Sequence, residues 1–312
     1  MNFVAIVAAL AFEQWRGVPW RGALLRLFRR YARALERRLN AGAAQQGAIA
    51  AALALGPPVL LAGALYLVLM QLSALLGTLW SALVLVLVMG FRSFGLAFAG
   101  IADALKSDDV ITARRRLFSW RGSDSAGASA GDIPKLAIEQ GLLDAYRNVF
   151  GTLFWFLMAP GPVGALLYRL TSLLAEQWHA DATTPMGAQL ARFGHPVARL
   201  LHWLDWIPVR LTAITFAIVG DFEDAVFCWR TQSGSWPARD HGILLASGAG
   251  ALGCMLGGTM TSATGEPEFR PELGISEPAD VDCMPSATGL VWRALLVWLV
   301  LLLLLTLAHW AP

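Results

Sequence analysis

Charge disappears from the chain between residues 41 and 91 and again from 294 to 308, and these apolar blocks set the first expectations. A helix needs about 20 apolar residues to cross about 30 Å of hydrocarbon, so stretches of that length read as membrane spans. Residues 46–70 and 72–91 predict a helical hairpin. Gly56-Pro57-Pro58 bends its first arm, where neighbouring helices can satisfy the carbonyls that proline leaves without a donor. Residues 148–168 are long enough to span, but Pro160-Gly161-Pro162 interrupts them, giving either two half-helices or a sharp kink. Residues 207–220 are short and carry Arg210 near their start, which fits an interfacial or partly entering segment. Residues 243–258 are rich in Gly and Ala. Residues 294–310 are the cleanest span, with Trp292, Trp298 and Trp310 suited to interface anchoring. The pattern predicts an all-α, polytopic integral membrane protein with about four to five spanning or re-entrant helices and cytoplasmic amphipathic helices.

Polar segments complete a single membrane domain over residues 1–312. Residues 13–45 hold Arg16, Arg21, Arg26, Arg29, Arg30, Arg33, Arg37 and Arg38. At about 100° per residue, Leu24, Phe28, Tyr31, Ala32, Leu35 and Leu39 fall on one face and Arg26, Arg29, Arg30, Arg33 and Arg37 on the other. That is an amphipathic surface helix. It suits anionic lipid or a phosphate-bearing ligand, and the same pattern arises from plain topology marking. Residues 92–147 read as a polar loop on the same side, marked by Arg114-Arg115-Arg116 and Arg121, with a flexible Ser/Gly/Ala tip at 123–131 and a helix at 133–148 leading into the membrane. Residues 259–287 read as an acidic, proline-bearing loop with little regular structure. The apolar start at 2–12 precedes its arginines and has no small-residue cleavage site, so a retained membrane-dipping helix is expected there.

Composition agrees: 56% of residues are hydrophobic and 15% charged, against roughly a quarter charged in ordinary soluble domains. With 24 basic and 22 acidic side chains the net charge is +2, so no global field recruits nucleic acid. Cys228, Cys254 and Cys283 lack a C-x-x-C pair or a nearby histidine and read as unpaired thiols, with no metal site. Gly248-Ala249-Gly250-Ala251-Leu252-Gly253 fits G-x-G-x-x-G, but no strand precedes it. Gly253 and Gly257 have the small-xxx-small spacing of helix contacts in lipid, so the glycines read as packing. No motif calls for a cofactor.

Candidate chemistry concentrates after residue 194. His195-Pro196 starts a helix that should end before Pro208. On it His195, Arg199, His202 and Trp206 fall within about 60° of one another, with Asp205 toward the edge and Arg210 just beyond. Two imidazoles and a guanidinium could hold a phosphate or carboxylate or relay a proton; an interfacial helix with Trp203 and Trp206 as a membrane belt has the same sequence. Asp221, Glu223 and Asp224 could meet a divalent cation or simply end a helix in water.

The run Leu201-His202-Trp203-Leu204-Asp205-Trp206-Ile207-Pro208-Val209-Arg210-Leu211 resembles the corresponding segment of AmpE proteins. More broadly, the order of features is similar to the CobD/CbiB membrane family of cobalamin biosynthesis: Leu153-Phe154-Trp155, Tyr168-Arg169, Pro208-x-Arg210, Trp229-Arg230 and the glycines from Gly250 to Gly258. That family implies amide formation between adenosylcobyric acid and an aminopropanol phosphate, relying on acids in an E-N-x-x-D-G-like block and a D-D-x-x-N-x-x-P-x-R block. This sequence departs at both. It reads Asp144-Ala145-Tyr146-Arg147-Asn148 before the first block's end, and Leu201-His202 where the second has its acidic pair. The departures favour an AmpE-type inner-membrane regulatory or accessory role, linked to β-lactamase induction or cell-wall status, with the cobalamin synthase as the alternative. A third reading is a lipid-linked or cell-wall intermediate binder. The ligand-binding candidates are His195, Arg199, His202, Asp205, Arg210, Asp144 and Arg147. The expected partners are the lipid bilayer, anionic lipids and a signalling protein or a cell-wall or corrinoid ligand.

Overall fold

A computed structural model describes residues 2–15, 21–121, 127–179, 184–261 and 267–310; Arg16 and the 123–126 part of the expected flexible tip lie outside them. In chain order the helices are α1 (Asn2–Trp15), α2 (Arg21–Leu39), α3 (Ala44–Leu72), α4 (Ala74–Val88), α5 (Phe91–Lys106), α6 (Val110–Arg121) and α7 (Asp132–Ala145). A π-helical turn (Tyr146–Phe150) leads into α8 (Gly151–Met158), α9 (Val163–Gln177), α10 (Pro185–Val219), α11 (Phe222–Gln232) and α12 (Arg239–Leu252). Strands β1 (Met255–Thr261) and β2 (Pro267–Gly274) precede α13 (Cys283–Trp310). The chain forms two compact units, one of Met1–Gly90 with Arg147–Trp206 and one of Phe91–Tyr146 with Ile207–Pro312.

The first unit contains the expected hairpin, α3 against α4. Its core joins Ala50, Ala54 and Leu55 of α3 to Leu170, Leu173 and Leu174 of α9 and Phe193 and Val197 of α10, with Trp178 beside them. The amphipathic helix α2 lies on this core through Leu25, Phe28, Ala32, Leu35 and Leu39. Leu24, placed on the apolar face from its spacing, is exposed instead, because the inward stripe is centred one residue further on. The break at Pro160-Gly161-Pro162 yields two half-helices, α8 and α9.

The helix expected to start at His195-Pro196 and end before Pro208 is bounded by neither proline. Pro57 and Pro58 lie inside α3, and Pro196 and Pro208 lie inside α10, which runs unbroken for 35 residues. Proline at position i removes the N–H that would bond the carbonyl at i−4, so helix continuation requires another donor for that carbonyl. Two are visible. Pro57 frees the Leu53 carbonyl, to which Tyr31 Oη donates at 2.8 Å. Pro208 frees the Leu204 carbonyl, to which Trp155 Nε1 donates at 3.0 Å.

The second unit departs further from expectation. Residues 92–147, read as a polar loop ending in a helix at 133–148, carry α5 and α6 as well as that expected helix, α7, with Phe98, Ile101, Ala113, Leu117, Ile133 and Ile138 buried. Residues 259–287, read as irregular, contribute to an antiparallel hairpin with Met255 opposite Gly274 and Thr261 opposite Pro267, bulged between Leu256 and Gly258. Glu268, Arg270, Pro271 and Glu272 disguised β2; a proline is tolerated because this strand pairs on one side alone. The glycine-rich run ends α12 at Gly253, which caps it with φ +66°, so the chain continues as strand and Gly253 and Gly257 do not share a helix face. Gly250 does serve packing: a Cβ there would lie 2.5 Å from the Asp224 carbonyl oxygen of α11. Asp221, Glu223 and Asp224 belong to the start of α11, where the Asp221 carboxylate accepts from Asp224 N–H at 3.1 Å as an N-cap.

Against the expected four to five spans, two helices among the described residues, α3 and α13, are long and apolar enough to cross a membrane; α4 is a shorter apolar helix. At 29 and 28 residues α3 and α13 reach about 43 and 42 Å. Leu60, Leu61, Leu67 and Leu72 on α3, Leu75 and Leu79 on α4, and Leu296, Val300, Leu304 and Leu305 on α13 are exposed, the reverse of a water-soluble surface.

Candidate functional site

Asp205 of α10 turns into the first unit. Its Oδ1 accepts from Tyr168 Oη of α9 at 2.8 Å, with both side chains buried. Leu201 and Leu204 pack against the same phenol, and Gly151 makes room for it, since a Cβ there would lie 2.4 Å from the Tyr168 oxygen. His195, Arg199 and His202 take the other side of α10 and are exposed, beside Trp203 and Trp206, which are 65% and 48% exposed. The helical wheel had set Asp205 at the edge of the histidine face; packing against α9 separates them. The seven candidates therefore do not form one cluster. Asp144 belongs to the second unit, where it accepts from Trp120 Nε1 at 2.8 Å and Gln140 Nε2 at 3.0 Å. Arg210, half-buried, also belongs to that unit.

Arg147 joins a different group. It lies on the π-helical turn, an irregularity frequent at functional sites, and its Nη1 pairs with Glu176 Oε1 of α9 at 3.0 Å. The other oxygen of Glu176 is 3.8 Å from Arg29 Nη2 of α2. A cleft of about 360 Å³ opens there, lined by Arg29, Arg33, Leu173, Glu176 and Gln177. A smaller one of about 270 Å³ continues along Arg30, Arg33 and Arg37. Glu36 of α2 bonds Gln177, and burial raises its carboxyl above the usual carboxylate range. The basic face of α2, read from the sequence as a lipid surface, thus borders a concave, positively charged site.

The second unit holds a buried carboxylate that sequence reasoning missed. Glu139 of α7 takes Arg121 Nη2 of α6 at 2.8 Å and Arg270 of β2 through both Nη atoms, at 3.0 and 3.3 Å. Arg270 also lies over the Trp236 ring, 5.2 Å from its centroid. Nearby in the chain, Asp132 accepts from Ser129 N and Oγ at 3.0 and 2.6 Å and from Thr261 N of β1 at 3.3 Å. Two buried acids of α7 therefore anchor the β-hairpin. Among the described residues no group of three or more His, Cys, Asp or Glu side chains is placed to hold a metal ion.

The family model described as CobD/Cbib protein matches residues 6–309. The chain belongs to the CobD/CbiB family. Its relatives include the protein named cobalamin biosynthesis protein CobD of Stutzerimonas stutzeri, 35% identical over 305 residues, covering 96% of this chain and 97% of the relative. The CobD protein of Chromobacterium violaceum is 33% identical over 81% of this chain and 77% of its own length. That of Mycobacterium tuberculosis is 31% identical over 83% and 81%. No solved structure matches the chain. These relatives overturn the AmpE-type regulatory reading: the likeness at residues 201–211 is local, whereas the resemblance to CobD proteins runs through nearly the whole chain. Among the described residues α3 and α13 are the apolar helices long enough to span a membrane.

Proposed function

We propose that this CobD/CbiB member acts in cobalamin biosynthesis as the synthase that joins adenosylcobyric acid to aminopropanol phosphate, working as a multi-pass protein of the bacterial inner membrane. The observation that carries this reading is the 31–35% identity to CobD proteins over 81–96% of the chain. In the reaction a C–N bond forms between a carboxyl carbon and an amine nitrogen, and the elements of water are lost. Two features of the chain suit it. Asp205, held by the Tyr168 phenol, offers a carboxylate to take a proton from the incoming ammonium. The arginine-lined cleft offers donors for a phosphate. The exposed apolar faces of α3, α4 and α13 would be covered by the bilayer, and no role for nucleic acid is proposed.

The test is genetic. A strain lacking its own synthase, given this gene, is expected to grow on cobyric acid under conditions that require cobalamin. Absence of growth, with the protein verified in the membrane, would remove the synthase reading.

A further inference from the structure

We propose that the cleft between α2 and α9 is a binding site for a phosphate group, held by Arg29 and Arg33 of α2 and by Arg147, with Glu176 setting its selectivity. Arg29 and Arg147 face the Glu176 carboxylate and Arg33 lines the same cleft, so cations outnumber the carboxylate there, as a phosphomonoester of charge about −1.5 to −2 at neutral pH requires. Each guanidinium presents donors in a planar fork that suits phosphate oxygens. The arginines are also organised. Glu176 holds Arg147 at 3.0 Å and stands 3.8 Å from Arg29, while Arg33 Nε donates to the Arg29 carbonyl at 3.3 Å. Arg147 has only 14% of its side chain exposed, against 49% for Arg29, so the lining residue Glu176 pairs with a largely buried cation through one oxygen and stands near an exposed one through the other. A cavity of about 360 Å³ is ample for a phosphate and a short substituent. Topology marking alone needs none of this: it asks for arginines in water, not for a concavity with a carboxylate aligning two of them.

The phosphate could come from a soluble aminoalkyl phosphate or from an anionic lipid headgroup, and the chemistry of the site is common to both. The soluble source rests on the synthase reading; the lipid source does not. The full chain is reconstituted in phosphatidylcholine nanodiscs and titrated calorimetrically with inorganic phosphate, aminopropanol phosphate and unphosphorylated aminopropanol. In parallel, discs containing phosphatidylglycerol are compared for lipid retained by the purified protein. Binding of either phosphate source should weaken about tenfold to a hundredfold in Arg33→Gln, while Arg26→Gln, on the same helix but outside the cleft lining, should leave it unchanged. Glu176→Gln removes the competing carboxylate and should tighten binding several-fold, a gain that a damaged fold does not give. Arg33→Lys keeps the charge and loses the fork, so it should fall between.

Loss in Arg33→Gln with soluble phosphates establishes the site with a metabolite as its ligand; the same loss seen with phosphatidylglycerol alone establishes it with a lipid. No phosphate binding from either source, or equal loss in Arg26→Gln, overturns it. Because the readout is binding, phosphate capture by a protein that fails to restore growth would retire the synthase reading and keep the site.

Discussion

Replacing Tyr31 by phenylalanine removes one oxygen atom and, with it, the donor that serves the Leu53 carbonyl at 2.8 Å. That carbonyl has no helical partner, because the residue four positions on is Pro57. A neutral hydrogen bond contributes about 0.5–1.5 kcal/mol, and an orphaned buried carbonyl costs about 1–3 kcal/mol. Tyr31 and Leu53 are 40% and 45% exposed, so water or headgroups can partly replace the hydroxyl, which keeps the expected cost within the first range, about 1 kcal/mol. The decisive comparison is a double-mutant cycle. Pro57→Ala returns an N–H at position 57 that closes the regular helical bond to Leu53, and in that background Tyr31→Phe should cost less than about 0.5 kcal/mol. Unfolding of the purified protein in mixed micelles, titrated with denaturing detergent and followed by circular dichroism, gives the four free energies. An equal cost of Tyr31→Phe in both backgrounds would refute the claim that this hydroxyl stands in for the amide that proline lacks.

Other expectations follow from the buried polar groups. Asp205→Asn keeps an acceptor for Tyr168 but removes the charge, so cobalamin-dependent growth should be lost with a fall in rate of about 10²–10⁴, while unfolding shifts little; retained growth would exclude proton acceptance at this residue. Glu139→Gln leaves Arg121 and Arg270 facing each other without their shared carboxylate and should destabilise the second unit by about 2–4 kcal/mol, read as faster proteolysis of the β1–β2 hairpin; an unchanged cleavage rate would contradict the anchoring role. Burial pushes the Cys254 thiol up to about 12, so at pH 8 it remains protonated and should resist iodoacetamide until the protein unfolds, as mass spectrometry of the modified peptide can show.

The hairpin of α3 and α4, the spanning length of α13 and the two-faced character of α2 were legible along the chain, because the preference for lipid or water is set by composition over a window of about 20 residues. Membership of the family was legible as well, in Leu153-Phe154-Trp155, Pro208-x-Arg210 and the glycines after 247. The short segment at 201–211 and the acids absent from fixed positions point to AmpE, but similarity over 96% of the chain is to a CobD protein. Other features depended on folding alone. Helix α10 passes through Pro208 because Trp155, 49 residues earlier, supplies a donor to Leu204. Asp205 parts from His202 because α9 covers one side of the helix and not the other. The β-hairpin, hidden by its charges, is held by a glutamate 131 residues before Arg270, and the arginine cleft exists because α2 lies against α9. A local window records which solvent each residue prefers; which donor meets which acceptor depends on the path of the whole chain, and that path is fixed by packing between segments no window contains.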